Sequence, residues 1–311
     1  MTRLKSILAA AAIIGATPAI AQDSVSNVGI TVGTLGNPFF VPLVEGAKAA
    51  ILKANPKAEI TTLGADYDLT KQASQMDSFL TAGVQLIMLN AVDVKAIAPS
   101  VARAKAQGVV IGAFDVSAEG ADVTVMTNNV QAGDIACEYL AQKLNGKGDV
   151  VIINGPPVSS IIDRVEGCRT AFGRHPDIKI LSDDQDGKAS REGGLAVMQG
   201  LLTRFSKIDA VFGANDPTAL GADLAAKQLG RTEMIMAGVD GAPDVVKAMK
   251  SGDTRIVASS SQDPYGMAEK AAEMALAVAW GEKPAETTVL LDTKLVTPEN
   301  VNDYVGWDAP R

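Results

Sequence analysis

Asn37, Asn90, Asp115, Arg164, Asn215, Asp240 and Gln262 each stand at or just beyond the end of an apolar run, or follow it at the start of a helical one. Phe39 and Phe40 follow the first of them. Amides, carboxylates and one guanidinium gathered at strand ends form a hydrogen-bonding surface, and aromatic faces beside them receive C–H groups. Open α/β sheets bind ligands outside the carboxyl ends of their strands, so Gly33-Thr34-Leu35-Gly36-Asn37-Pro38-Phe39-Phe40 is expected to offer an amide and exposed rings to a ligand with both hydroxyls and C–H faces. Taken singly, an Asn or Asp at such a place is equally a helix N-cap or turn residue, and for Asn90 that role is preferred. Arg164 differs. Arg is not a favoured cap, its planar fork suits two adjacent hydroxyls, and Asp115 and Asp240 would balance its charge in a closed cleft.

Groups suited to catalysis are scarce. His175 is the only His and precedes Pro176 in a polar turn, where a surface role is favoured over a general base. No zinc-ligand spacing occurs, and the turn after the first strand lacks the glycine spacing and Lys of a phosphate loop. Ser159 and Ser160 follow Gly155-Pro156-Pro157 without a nucleophile-elbow pattern and read as turn or cap residues. Asp183, Asp184 and Asp186 lack the regular oxygen spacing and closing Glu of an EF-hand loop, so a solvated loop is expected rather than a calcium site. The expectation is a binding protein with no cofactor and no metal.

The elements that must position these groups follow from hydropathy. Runs rich in Val and Ile alternate with segments of helical period, the pattern of parallel β-α-β units covered on both sheet faces. Strands are predicted at 28–34, 58–63, 84–89, 109–114, 123–127, 149–154, 178–181, 210–214, 234–239, 256–260 and 287–292. Helices are predicted at 38–54, 132–145, 191–204 and 265–280 among others. The stretches Leu86–Asp93 and Ala210–Asp216 repeat a strand, an Asn and an Asp before a helix, and the strands 109–114 and 234–239 both run into an Asp. With 311 residues, the fold class is α/β, two similar doubly wound domains with a cleft between facing strand ends.

The first 21 residues read as a cleavable export signal, with Arg3 and Lys5, an apolar run from Ile7 to Ile14, and Ala19-Ile20-Ala21 before the mature start near Gln22. The run is short for a membrane span. The chain has 28 basic and 36 acidic residues, a formal charge of −8, which argues against nucleic acid or anionic lipid as partner. Cys137 and Cys168 lie on predicted helices flanking the strand at 149–154. In an oxidising compartment a disulfide between them is preferred over two buried thiols.

Taken in order, these motifs resemble the periplasmic sugar-binding proteins of ABC importers, especially the ribose-binding class. They are Asn37-Pro38-Phe39-Phe40, Asp115, Asp163-Arg164-Val165-Glu166-Gly167, Asn215-Asp216 with Ala219-Leu220-Gly221, Val239-Asp240-Gly241-Ala242-Pro243-Asp244, and Gln262-Asp263-Pro264. The resemblance covers nearly all of the mature chain. It implies lobes formed by residues 22–127 plus 263–291 and 128–262 plus 292–311, joined by three hinge crossings. It also implies ligand contacts from Asn37, Phe39, Phe40, Asp115, Arg164, Asn215, Asp240 and Gln262, a periplasmic monomer, and delivery to an ABC permease. Presentation of the ligand to a chemoreceptor or histidine kinase is the alternative. Ribose binders hold an Arg where this chain has Val116, and a Phe in the region that here reads Asp186-Gly187-Lys188-Ala189-Ser190. A different sugar or a linear polyol is therefore expected, with Tyr67 either supplying aromatic contact or standing exposed in its loop. One Arg against two Asp disfavours phosphorylated sugars and sugar acids. A regulator of transcription would need a DNA-binding helix pair where the export signal lies. A sugar-modifying enzyme would have to use Asp115 and Asp240 as its acid and base.

Overall fold

The computed structural model describes residues 25–308; the proposed export signal and mature start lie outside the described residues. Five parallel strands, β1 (Asn27–Val32), β2 (Glu59–Gly64), β3 (Leu86–Leu89), β4 (Val110–Phe114) and β5 (Val123–Thr127), begin one sheet. A second is built from β6 (Lys147–Asn154), β7 (Asp177–Asp186), β8 (Ala210–Gly213), β9 (Ile235–Asp240) and β10 (Ile256–Ser261). The chain then returns to the first sheet with β11 (Thr288–Leu291) and closes on the second with β12 (Leu295–Val296). The strand orders are β11-β5-β4-β3-β1-β2 and β12-β10-β9-β8-β6-β7, and all pairs are parallel except the short β10–β12 pair. The two parallel α/β sheets expected from the Val and Ile runs are thus present.

Central strands are buried along their whole length, as β3 and β8 show, because helices cover both faces. The helices are α1 (Phe40–Ala54), α2 (Leu69–Thr81), α3 (Ala98–Ala106), α4 (Asn129–Lys143), α5 (Ser159–Gly173), α6 (Arg191–Arg204), α7 (Asp216–Gln228), α8 (Pro243–Ser251) and α9 (Pro264–Ala279). Asp68, Asn128, Ser190, Asn215 and Asp263 cap α2, α4, α6, α7 and α9 by accepting a backbone N–H from the first turn. Each cap starts its helix shortly after the preceding strand ends, so helix N-termini collect around the space between the sheets.

Three local expectations change. The acidic run Asp183, Asp184 and Asp186 is not a loop but the end of β7, an edge strand whose side chains there are largely solvent-exposed. Ser159 and Ser160 are not caps: they are the first helical residues of α5, and Val158 occupies the cap position. Finally, β12 was not anticipated, since two residues carry no periodicity.

The disulfide is formed, joining Cys137 on α4 to Cys168 on α5 with Cα atoms 5.1 Å apart. These helices touch backbone to backbone. A Cβ at Gly133 would collide with the Arg164 carbonyl, and one at Gly167 with that of Val130. Gly133→Ala must therefore push α5 outward, moving both the disulfide and Arg164. It is expected to lower stability by about 1–3 kcal/mol. Calorimetric melting of the variant checks this, and an unchanged melting temperature would mean the helices have slack to absorb a methyl group.

Candidate functional site

Between the carboxyl ends of the two sheets lies a tight cavity of about 30 Å³, and its wall holds Asn37, Phe39, Phe40, Tyr67 and Asp115 from the first half of the chain. Arg164, Asn215, Asp240 and Gln262 face them from the second. A broader apolar groove opens outside it, past Val41, Pro42, Leu220 and Pro243. The lobes also touch directly, the Ser117 N–H donating to Ser159 Oγ at 2.9 Å while Val116, Val158 and Ile161 share one apolar cluster.

Arg164 is buried at the centre of the polar side. Its Nε donates to Asn129 Oδ1 at 2.9 Å, and its Nη1 to the Ala214 carbonyl at 3.1 Å and Asp240 Oδ1 at 3.4 Å. Asp240 also accepts from Gln262 Nε2 at 2.8 Å, and Gln262 Oε1 accepts from the Thr127 hydroxyl at 2.6 Å, where the chain leaves the first sheet. The wall of the cavity and a crossing between sheets are therefore one hydrogen-bonded unit.

Asn37 and Asn215 do structural work while facing the cavity. Asn37 Oδ1 accepts the Phe39 N–H at 3.0 Å, and Asn215 caps α7 through Thr218 while donating to the Ala189 carbonyl. Phe39 and Phe40 are not exposed as the sequence suggests. They are 5% and 4% accessible, stacked edge to face and set into the apolar core between α1 and α9. Burial fixes the Phe39 ring instead of leaving it free in a loop. Tyr67 is half-buried, and burial together with the charges of Asp115 and Asp240 pushes its phenol pKa up, so it is protonated and able to donate.

Asn90 departs most from expectation. It caps no helix: its Nδ2 donates to Asp115 Oδ2 at 2.8 Å and its Oδ1 accepts the Gly33 N–H, tying β1, β3 and β4 together at the cavity floor. Its position repeats that of Asn215, and that internal repeat was the signal able to find it. Asp216 was also overlooked. Fully buried, it accepts from the Ser259 hydroxyl at 2.7 Å and the Ala242 N–H at 2.8 Å, holding the turn after Asp240. Burial and the neighbouring Asp240 push its pKa up.

Backbone strain gathers here as well. Tyr67, Asp115, Ala189 and Asp240 have φ of 55°, 66°, 47° and 139°, conformations that side-chain-bearing residues seldom adopt, and all four line the cavity. Among the described residues no cluster of three or more His, Cys, Asp or Glu is placed to hold a metal ion.

Residues 28–283 match the model of the periplasmic binding protein domain. The chain belongs to that family. It is 31% identical over 312 residues to a xylitol-binding protein of Mycolicibacterium smegmatis, covering 97% of this chain and 87% of the relative. To the ribose import binding protein of Salmonella typhimurium it is 31% identical over 299 residues, covering 95% and 97%. A solute-binding protein of an ABC transporter from Bacillus halodurans, solved with bound myo-inositol, superposes with a TM-score of 0.82 at 27% identity, covering 91% of this chain and 98% of that one.

Within this family frame the charge balance of the cavity has a measurable consequence. Burial pushes the Asp115 carboxyl up to about 6, against the opposing pull of Arg164 and the Asn90 amide. A carboxyl with a higher pKa folded than unfolded holds more protons in the native state between those two values. Its stability contribution is present at low pH and is lost as the pH rises through about 6. Asp115→Asn should therefore stabilise the unliganded protein at neutral pH, by up to about 3 kcal/mol, while weakening ligand binding. Thermal melts across the acid to neutral range check this; parallel profiles for variant and wild type would contradict it.

Proposed function

We propose that this protein is the periplasmic solute-binding component of an ABC importer, capturing one neutral sugar or polyol between two lobes that close on a hinge and presenting it to the permease. The lobes comprise residues 22–127 with 263–291 and 128–262 with 292–311. The chain passing between the sheets after Thr127, Ser261 and Leu291 supports that division. An export signal over residues 1–21 accounts for the location.

The observation that carries the proposal is the pairing of fixed aromatic faces with a buried Asp115–Arg164–Asp240 constellation across one small cavity. Rings of Phe39 and Tyr67 take C–H surfaces. Asn37, Asn90, Asp115, Arg164, Asn215, Asp240 and Gln262 take hydroxyls, in charge-assisted hydrogen bonds that strengthen as closure excludes water. With more carboxylates than cations, the site opposes phosphates and sugar acids. Val116, where ribose binders hold an Arg, and Ala189, within the region where they hold a Phe, both line the wall, which favours a ligand other than D-ribose. Relatives that bind xylitol or were solved with myo-inositol point the same way.

A thermal-shift panel on the mature protein tests this, using xylitol and other pentitols, myo-inositol, D-ribose, hexoses, amino sugars and sugar phosphates. A ligand that binds only the folded state raises the melting temperature. A neutral polyol or sugar is expected to give the largest shift, with D-ribose weaker and phosphates inert. A response confined to phosphates or sugar acids would refute the assignment.

A further inference from the structure

Downstream of β12 the chain runs back along the second lobe to a 3-10 turn, Gly306–Asp308, and places Trp307 on the wall of the outer groove. This tail is fastened to the second lobe. Val301 is buried in that lobe's core, Tyr304 packs so closely on Gly241 that a Cβ there would strike its phenol, and the Trp307 Nε1 donates to the carbonyls of both Asp240 and Gln262 at 3.2 Å. The indole ring, however, faces the other lobe. It meets Phe39 edge to face, centroids 5.6 Å apart at 74°, and packs on the first lobe's apolar core.

We infer that Trp307 is a positioning residue for ligand capture: anchored to the second lobe, it backs the Phe39 ring only when the cleft is closed, setting that ring against the ligand and favouring closure. This rests on the binding function proposed above. Opening the hinge would carry Phe39 away with β1 and α1, while the indole stays with the Asp240 and Gln262 carbonyls. The contact therefore forms on closure, at the same moment as the ligand contacts of Phe39.

The chain has two tryptophans, so the contact has a spectroscopic signature. Trp280 follows the far end of α9, about 24 Å along the helix from its cleft end. Mature Trp280→Phe, Trp307→Phe and Trp307→Ala proteins are titrated with xylitol and with the strongest neutral hit of the panel, following indole emission and calorimetric affinity. The Trp280→Phe protein should keep a saturable emission change, and Trp307→Phe should lose it. Affinity should fall about tenfold in Trp307→Ala and by less in Trp307→Phe, which retains a ring against Phe39. If the Ala variant fails to fold, the emission of the Phe variant decides. An undiminished emission change in Trp307→Phe, or wild-type affinity in both variants, overturns the inference alone. Failure of every neutral ligand to bind the wild type overturns the proposed function and this inference with it.

Discussion

Arg164→Ala is expected to weaken ligand binding by about a hundredfold and to destabilise the unliganded protein at neutral pH. The guanidinium is 4% exposed and serves Asn129, the Ala214 carbonyl and Asp240 at once, while its charge also offsets the cost of burying the Asp115 carboxylate. Losing a buried charge-assisted partner costs about 2–4 kcal/mol of binding, because ligand hydroxyls lose a donor and the remaining carboxylates lose their counter-charge. Removing one member of a buried pair also leaves the other unpaired in the folded state. Without Arg164, Asp115 and Asp240 have folded pKa values raised further, so their ionisation opposes folding more strongly as the pH rises. The stability loss should therefore be larger at neutral pH than in mild acid, where both carboxyls are protonated. Calorimetry and melts at the two pH values test this, with Arg164→Lys intermediate because an ammonium cannot make the forked set of contacts. Equal destabilisation at both pH values would show that Arg164 acts through packing and not through charge.

Removing the disulfide by the double substitution Cys137→Ala and Cys168→Ala should lower the melting temperature by about 10 °C. The bond closes a loop of 31 residues between α4 and α5. Loop-closure entropy for that length corresponds to about 3–4 kcal/mol, and a domain of this size loses a few degrees for each kcal/mol. Alanine is chosen because both sulfurs are fully buried, where serine would add an unmet hydroxyl. The effect should extend to binding, since α5 carries Arg164. A melting temperature within a degree or two of wild type would mean that the close α4–α5 packing at Gly133 and Gly167 suffices without the bond.

Much of the architecture was legible because parallel strands buried on both faces leave continuous runs of apolar and small residues, and β3, β4, β8 and β9 are of that kind. The end of β7 was misjudged because an edge strand with exposed side chains carries the same acidic composition as a loop. Residues at strand ends were legible as polar groups, but their partners were not. Asn90 has the residue type of a cap, and only the register of β3 against β4, with Leu89 opposite Ala113, brings it to Asp115. The burial of Phe39 and Phe40 depends on α9, which arrives from more than 200 residues later in the chain. Trp307 gave no signal, because its role comes from a tail without periodicity folding back across two lobes.

A crystal structure of the mature protein grown with the strongest neutral ligand from the thermal-shift panel tests the central claim most directly. The account predicts a single sugar or polyol between the closed lobes, its C–H face on Phe39 and its hydroxyls bonded to Asp115, Arg164 and Asp240. Ligand density in the outer groove past Val41 and Pro243, with the inner cavity empty, would contradict it.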